Sequence, residues 1–340
     1  MRAIRASKFG GPDVLELVTT TRPVPGPGQI LVRVESASVN FADTLRRRNG
    51  PYPFPTALPF TPGSEVAGTV EALGDGVQGP PIGTPVFALA GSGPTMGSTG
   101  YAQFAVADAP TVAPIPPGMS ADQACTILVA GLTALLSLTH AATLRSGETV
   151  VVQGAAGGVG AYAMRIAKAL GAGRVIGAVG AASRRAAALA HGADDVVVYD
   201  SPTWVDDVRA KTKGLGADVI LEMRGGDSLA QSLGALAPFG RVVVYGAASG
   251  ETVRLPETTC FSTFQVPAPN HSIVVFNLGL WFAMRPQVAG AAIGQLLGLI
   301  GAGAVHVPVG RTMPLAQAAD AHRLLEGHGA DGKLILKPWA

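Results

Sequence analysis

The chain has 340 residues, 48% of them apolar and 14% charged, with a formal net charge of +2. That length suffices for two domains around a large buried core, which excludes a disordered or fibrous chain. So slight a net charge leaves no polyanion footprint, and no nucleic-acid partner is expected.

The first residues, Met1 to Lys8, enter a strand pattern without the apolar core of a signal peptide. Residues 1 to about 119 read as β-rich: 30–34 and 65–71 alternate apolar and polar, and turns at 25–28 and 74–76 separate the runs. This is the pattern of a small, strongly bent barrel or sandwich. Arg46, Arg47 and Arg48 form one short basic run, expected as the solvated face of a helix. At Ser120-Ala-Asp-Gln123 the period changes, because Ser three residues before Gln is a capping box that opens a helix continuing through Ala124 and Ile127. Cys125 follows, and with Cys260 it makes only two cysteines. Both sit among apolar neighbours and are expected as buried thiols of a cytoplasmic, reducing compartment.

From there strands and helices alternate. Strands are expected at 149–153, 174–178, 196–199, 217–221, 241–245 and 272–276, with helices at 159–170 and 184–191 stopped by Gly171 and Gly192. Short apolar strands separated by helices predict a parallel sheet covered on both faces, a doubly wound α/β domain. Further helices are expected near 288–300 and 315–325, then a strand at 333–337. No uninterrupted apolar run approaches the roughly 20 residues that span a bilayer, so no membrane association is expected. The expected division is 1–122 for the N-terminal part of the β-rich domain and 123–270 for the nucleotide domain. Residues 271–340 then supply that sheet's last strand and the return to the first domain. An open apolar edge at the last strand predicts a homodimer.

Gly154-Ala155-Ala156-Gly157-Gly158-Val159-Gly160 lies directly between a predicted strand and a predicted helix. Glycines there let the backbone turn tightly and approach a pyrophosphate, which the free N–H groups of the helix N-terminus receive. Four further strings occur with it in fixed order: Ala37-Ser-Val-Asn40-Phe-Ala-Asp43, Gly63-Ser-Glu65-Val-Ala-Gly68, Gly131-Leu-Thr133-Ala134 and Gly332-Lys333. Over essentially its whole length the chain resembles the medium-chain dehydrogenase/reductase superfamily, in its zinc-independent quinone oxidoreductase branch. The resemblance implies a GroES-like catalytic domain, a Rossmann domain and a cofactor cleft between them.

NAD enzymes place Asp or Glu at the end of the second strand, roughly 20 residues past the loop, to hold the ribose 2′-hydroxyl. Here that place falls to Gly180, followed by Ala181-Ala182-Ser183-Arg184-Arg185. A hydroxyl and two guanidinium groups suit a 2′-phosphate, and basic groups at a helix N-terminus are unfavourable without an anion. NADPH is therefore the expected cofactor, with Arg185 favoured over Arg184 as the phosphate contact. The resemblance adds Gly180, Ser183 and Tyr199 around the adenosine phosphate, and implies Asn40, Thr133, Gly246, Phe276 and Lys333 as further cofactor contacts.

The zinc alcohol dehydrogenases of the superfamily carry Cys where this chain has Asn40 and His where it has Ser64, and they carry a four-cysteine lobe where 88–100 has no Cys. None of the six histidines, at 140, 191, 271, 306, 322 and 328, pairs in sequence with a second good ligand, so no metal site is expected. The resemblance puts Asn40, Asp43 and Tyr52 at the chemistry, with Asn40 or Tyr52 donating a hydrogen bond to the acceptor oxygen. Leu89, Met96 and Phe276 are candidate lining for an apolar acceptor.

The expected reaction is hydride transfer from NADPH to a quinone. The alternatives are reduction of an α,β-unsaturated carbonyl or thioester, and a non-catalytic NADPH-binding sensor or structural protein. Two segments depart from the family pattern. In Leu221-Glu222-Met223-Arg224 an ion pair of Glu222 with Arg224 is expected, either near the cofactor or on the surface, and 261–271 is unusually polar and proline-rich.

Overall fold

The computed structural model describes residues 1–50, 52, 55–249 and 270–340. The described chain divides into two compact units, Met1–Ala130 with Val307–Ala340, and Gly131–His306. Cys260 and most of the polar, proline-rich segment lie outside the described residues.

In the first unit β1 (Arg2–Ala6) and β2 (Leu15–Thr19) form an antiparallel pair of their own. The spine is β3 (Gln29–Val39), antiparallel to β4 (Glu65–Leu73), and β5 (Pro85–Leu89) continues the sheet. β6 (Phe104–Asp108) pairs with the first part of β3, and β7 (Val112–Pro114) with β5. Two register shifts between β3 and β4, at Leu31/Val32 and Val34/Ser36, bend the spine. A glycine makes this bend possible: a Cβ at Gly68 would stand 2.0 Å from the Arg33 carbonyl oxygen.

The second unit is built on six parallel strands. They are β8 (Thr149–Gln153), β9 (Arg174–Val179), β10 (Asp195–Val198), β11 (Ala217–Glu222), β12 (Leu236–Val244) and β13 (Ser272–Val275). Their order is β10-β9-β8-β11-β12-β13, the doubly wound order of a Rossmann sheet. Three successive valines of β8, Val150, Val151 and Val152, are all fully buried, as both faces of a covered parallel sheet require. The strand order reverses between β8 and β11, and in open α/β sheets ligands bind beyond the carboxyl ends of strands at such a point.

The chain returns to the first unit with β14 (Val309–Pro314) and β15 (Lys333–Lys337). β15 pairs with the second part of β3, completing the order β14-β15-β3-β4-β5-β7 with β6 on β3. Tyr101, Val34, Ala37, Leu334 and Leu336 lie in this unit's core.

The capping box at Ser120 is formed, with the Ser120 hydroxyl accepting from the Gln123 N–H. It opens the helix Ala121–Ala141, which by length and composition is long and apolar enough to cross a membrane, with 78% of its most apolar window buried. The helix runs well past Ile127, and the search for an uninterrupted apolar run does not register its length, because a helix tolerates isolated polar residues that interrupt an apolar string. It contains two π-helical segments, Ile127–Gly131 and Ser137–Ala141.

Candidate active site and dinucleotide loop

The loop 154–160 joins β8 to the helix Gly158–Ala169. Gly154 has φ +63°, and a Cβ there would meet Met223 Cε at 2.6 Å. At Gly160 a Cβ would stand 2.3 Å from the Gly154 carbonyl oxygen, so the first helical turn sits directly on the loop backbone. At Gly157 the same test meets only that oxygen, at 3.3 Å, so the loop is open on that side. Ala155 and Ala156 are buried beneath it. A glycine-lined backbone at a helix N-terminus, at the sheet's switch point, fits a dinucleotide pyrophosphate.

Beside the loop, Gly180 follows β9, and a Cβ there would lie 3.2 Å from the Tyr199 hydroxyl and 3.4 Å from Asp200 Oδ2. The structure thus brings Gly180 and Tyr199 together. Ser183 and Arg184 lie in the 3-10 turn Ala182–Arg184 just beyond. Arg185 behaves differently from expectation: its Nη1 donates to the Val196 carbonyl of β10 at 2.6 Å, tying that guanidinium to the sheet.

The Glu222–Arg224 ion pair is not formed. Glu222 is fully buried; its Oε1 accepts from Ser228 Oγ and the Arg224 backbone N–H, both at 2.7 Å. Its Oε2 accepts from Gln153 Nε2 at 2.7 Å and Ser232 Oγ at 2.5 Å. Strand alternation turns residue 222 inward, whereas Arg224 lies past the strand end, where its guanidinium meets Asp200 at 3.1 Å. Elsewhere in this unit Gly246 approaches the Met223 backbone, Thr133 lies in the helix Leu132–Leu136, and buried Phe276 stacks on Trp281.

In the first unit Asn40 precedes the helix Phe41–Arg47, and Asp43 in the first turn reaches back to accept the Asn40 N–H at 2.9 Å. The same Oδ2 accepts from the Tyr101 hydroxyl at 3.2 Å, while Oδ1 accepts from Ser64 Oγ at 2.9 Å and the Gly63 N–H at 3.3 Å. Burial raises the Asp43 pKa, opposed by the Asn40 and Ser64 hydrogen bonds and by the Lys333 and Arg46 charges.

Lys333 is buried and spends its ammonium within this unit, on Asn40 Oδ1 at 2.6 Å, the Val39 carbonyl at 3.2 Å and Glu65 Oε1 at 3.3 Å. The Asn40 Nδ2 donates to Ser38 Oγ at 3.1 Å and Glu65 Oε1 at 3.2 Å. Both amide hydrogens are therefore engaged, which corrects the expectation that Asn40 donates to an acceptor oxygen; what remains is a lone pair on Oδ1. Glu65 Oε2 in turn accepts the Val129 N–H at 2.8 Å, inside the first π segment. Tyr52 remains a donor at neutral pH, since burial pushes its hydroxyl up.

The arginine run is not a solvated face. Arg46 and Arg47 are buried and only Arg48 is exposed at the surface. Arg46 lies 4.7 Å from the Tyr52 ring centroid and donates to the Thr56 hydroxyl and the Gly97 carbonyl. Arg47 donates to the Gly10 carbonyl, to His322 Nδ1 at 3.3 Å and to Glu326 at 2.5 Å. The last two partners come from the expected helix Ala318–Glu326, but no local pattern announces that it packs on the arginine run. Tyr101 has no sequence signal either, yet its hydroxyl joins Asp43 to His322 Nε2 at 3.2 Å. Among the described residues no three His, Cys, Asp or Glu side chains cluster so as to hold a metal ion.

Comparison with known proteins agrees with this geometry. Residues 26–117 match the alcohol dehydrogenase GroES-like domain, and residues 158–311 the family described as zinc-binding dehydrogenase. The mouse quinone oxidoreductase is 35% identical over 344 residues, covering 99% of this chain and 97% of that protein. The structure of Escherichia coli quinone oxidoreductase complexed with NADPH superposes with a TM-score of 0.87 at 30% identity, covering 99% of this chain and all of that one. A mycobacterial protein solved with NADPH gives a TM-score of 0.88 at 32% identity, with 99% of this chain and 100% of that chain covered. With its GroES-like sheet and its Rossmann sheet, the chain belongs to the quinone oxidoreductase branch of the medium-chain dehydrogenase/reductase superfamily.

Proposed function

We propose that this chain is an NADPH-dependent oxidoreductase that reduces a quinone without a metal. The observation that carries the reading is the glycine cradle at the switch point, with Gly180 in place of the acidic residue that serves NAD enzymes. NADPH supplies the hydride. The protein's part is to bind and orient, and the glycine loop, with Gly180, Ser183, Arg184 and Tyr199, is assigned to the pyrophosphate and the adenosine phosphate. Arg184 replaces Arg185 as the favoured phosphate contact, because Arg185 is committed to Val196. Residues 1–122 with the chain's end are assigned the catalytic role, and 123–270 with the last strand the cofactor role.

In the catalytic unit, Asn40 offers an oxygen acceptor fixed by Lys333, and Tyr52, whose burial keeps it protonated, is assigned to donate to a quinone oxygen. Asp43 holds Ser64 and Asn40 in place. Metal independence is supported by chemistry: at the would-be ligand positions an amide and a hydroxyl are bound into this network, and neither is a good zinc donor. A homodimer through β13 is part of the reading, as is a cytoplasmic setting away from the membrane. The buried Cys125 thiol, pushed well up by its burial, suits a reducing compartment.

The test is steady-state NADPH oxidation against a panel of quinones and enones, on protein assayed for zinc. Turnover of quinones that survives chelation supports the proposal. Turnover of enones alone moves the protein to a reductase of activated double bonds. Tight NADPH binding with no acceptor turned over makes it a sensor.

A further inference from the structure

Gly180 removes one carboxylate from the adenosine site, but another stands in its place. The side chain absent at Gly180 would point at Asp200 Oδ2, 3.4 Å from its Cβ position, with the Tyr199 hydroxyl at 3.2 Å. Asp200 follows β10 and is 60% exposed along its side chain, so on its own it would repel a 2′-phosphate. Arg224 answers it from the end of β11. Its Nη2 donates to Asp200 Oδ1 at 3.1 Å, and its guanidinium lies 4.4 Å from the Tyr199 ring centroid. Its Nη1 bonds are long, 3.3 Å to Gln231 Oε1 and 3.5 Å to the Tyr199 carbonyl. A planar cation thus rests on the aromatic face of the Tyr199 that Gly180 confronts, held by one partly exposed carboxylate.

We propose that Arg224 and Asp200 form the pair that sets the choice between NADPH and NADH, resting on the NADPH reading above. Arg224 takes the 2′-phosphate, for which its fork is better matched than for the single Asp200 oxygen it now holds. With no phosphate present, Arg224 stays on Asp200 Oδ1, and Oδ2 is left to accept the ribose 2′-hydroxyl. This second guanidinium reaches the site from a different strand end than Ser183 and Arg184 do. It gives the departure at Glu222-Met223-Arg224 a purpose: buried Glu222 accepts the Arg224 backbone N–H and so fixes where that side chain starts.

The experiment is calorimetric titration of the full chain with adenosine 2′,5′-bisphosphate, which carries the 2′-phosphate, and with ADP, which places both its phosphates on the 5′ oxygen. Neither needs turnover, and each variant is compared with the wild type, ligand by ligand. Arg224→Gln should weaken the bisphosphate by about 10- to 150-fold, the loss of one charge-assisted contact, and leave ADP within about twofold. Arg224→Lys should recover only part of this, having the charge without the fork. Asp200→Asn should tighten the bisphosphate and weaken ADP. Unchanged ADP affinity also reports that the Arg224 variants keep their fold, and the tightened bisphosphate reports it for Asp200→Asn. Equal losses for both ligands in Arg224→Gln, or no loss for either, overturn the proposal while leaving the NADPH reading intact. A wild-type chain that binds neither ligand overturns both.

Discussion

Around Asp43 the direction of each hydrogen bond can be deduced from its donors. Arg47 only donates, so His322 Nδ1 accepts, Nε2 carries the proton toward Tyr101, and the Tyr101 hydroxyl is left to donate to Asp43. The chain of bonds therefore presents Asp43 with donors alone and favours its carboxylate form, against the burial that raises its pKa. Arg47 does not release protons, so the chain positions groups and does not carry protons in from the surface. His322 bears the cost: burial first, then the Arg47 and Arg48 charges, push it down to about 3. Its unfolded value is about 6.5, so its contribution to stability is complete above that pH and is lost as pH falls toward 3. Between pH 7 and pH 5 the loss is about 2 kcal/mol. His322→Gln keeps an acceptor for Arg47 and a donor for Tyr101, so urea unfolding at those two pH values should show that much less acid sensitivity. An unchanged difference would assign the sensitivity to another group. Residues of this kind were the least legible in the sequence. Arg46-Arg47-Arg48 reads as solvated because partners 10 to 279 positions away in the chain leave no mark on it.

At the scale of elements the sequence was far more legible, because period and punctuation are local. The six strands of the Rossmann sheet and the stops at Gly171 and Gly192 follow from apolar runs and left-handed glycines. The π segments of Ala121–Ala141 are not legible; one of them has its Val129 N–H on Glu65, the first residue of β4. The loop 154–160 is legible as a strand-to-helix turn, and the structure separates the tasks of its glycines. Gly160→Ala would drive a methyl into the Gly154 carbonyl and the Ala155 backbone, at 2.3 and 2.8 Å, neither of which can yield as a side-chain tip does. The variant should lose about 1–3 kcal/mol of stability together with NADPH affinity. Gly157→Ala meets only one oxygen at 3.3 Å, so it should weaken NADPH binding with little change in the unfolding midpoint. Thermal melts and fluorescence titration of the two variants check this, and equal destabilisation would show that both glycines serve packing.

At the scale of the molecule, the open side of the Rossmann sheet calls for a partner. β13 is paired with β12 on one side, and among the described residues no strand pairs with its other side. Its last residue, Val275, is 79% exposed, and the helix Leu278–Met284 that follows exposes Leu280 and Met284. A bare edge with apolar side chains beside it invites pairing with another chain unless charge or proline guards it, and Ser272–Val275 carries neither. The self-complementary answer is an antiparallel meeting of two β13 strands about a twofold axis, which would continue the sheet from one chain into its copy. Sedimentation equilibrium at about 10 μM should then give a dimer, well above the dissociation constant expected of a standard-sized apolar interface. Val275→Lys places a charge on that seam and should shift the equilibrium to monomer while the thermal midpoint of the isolated chain holds. A monomeric wild type would remove the dimer altogether. A dimer indifferent to Val275→Lys would place the interface on another face and leave β13 as an edge guarded by some other means.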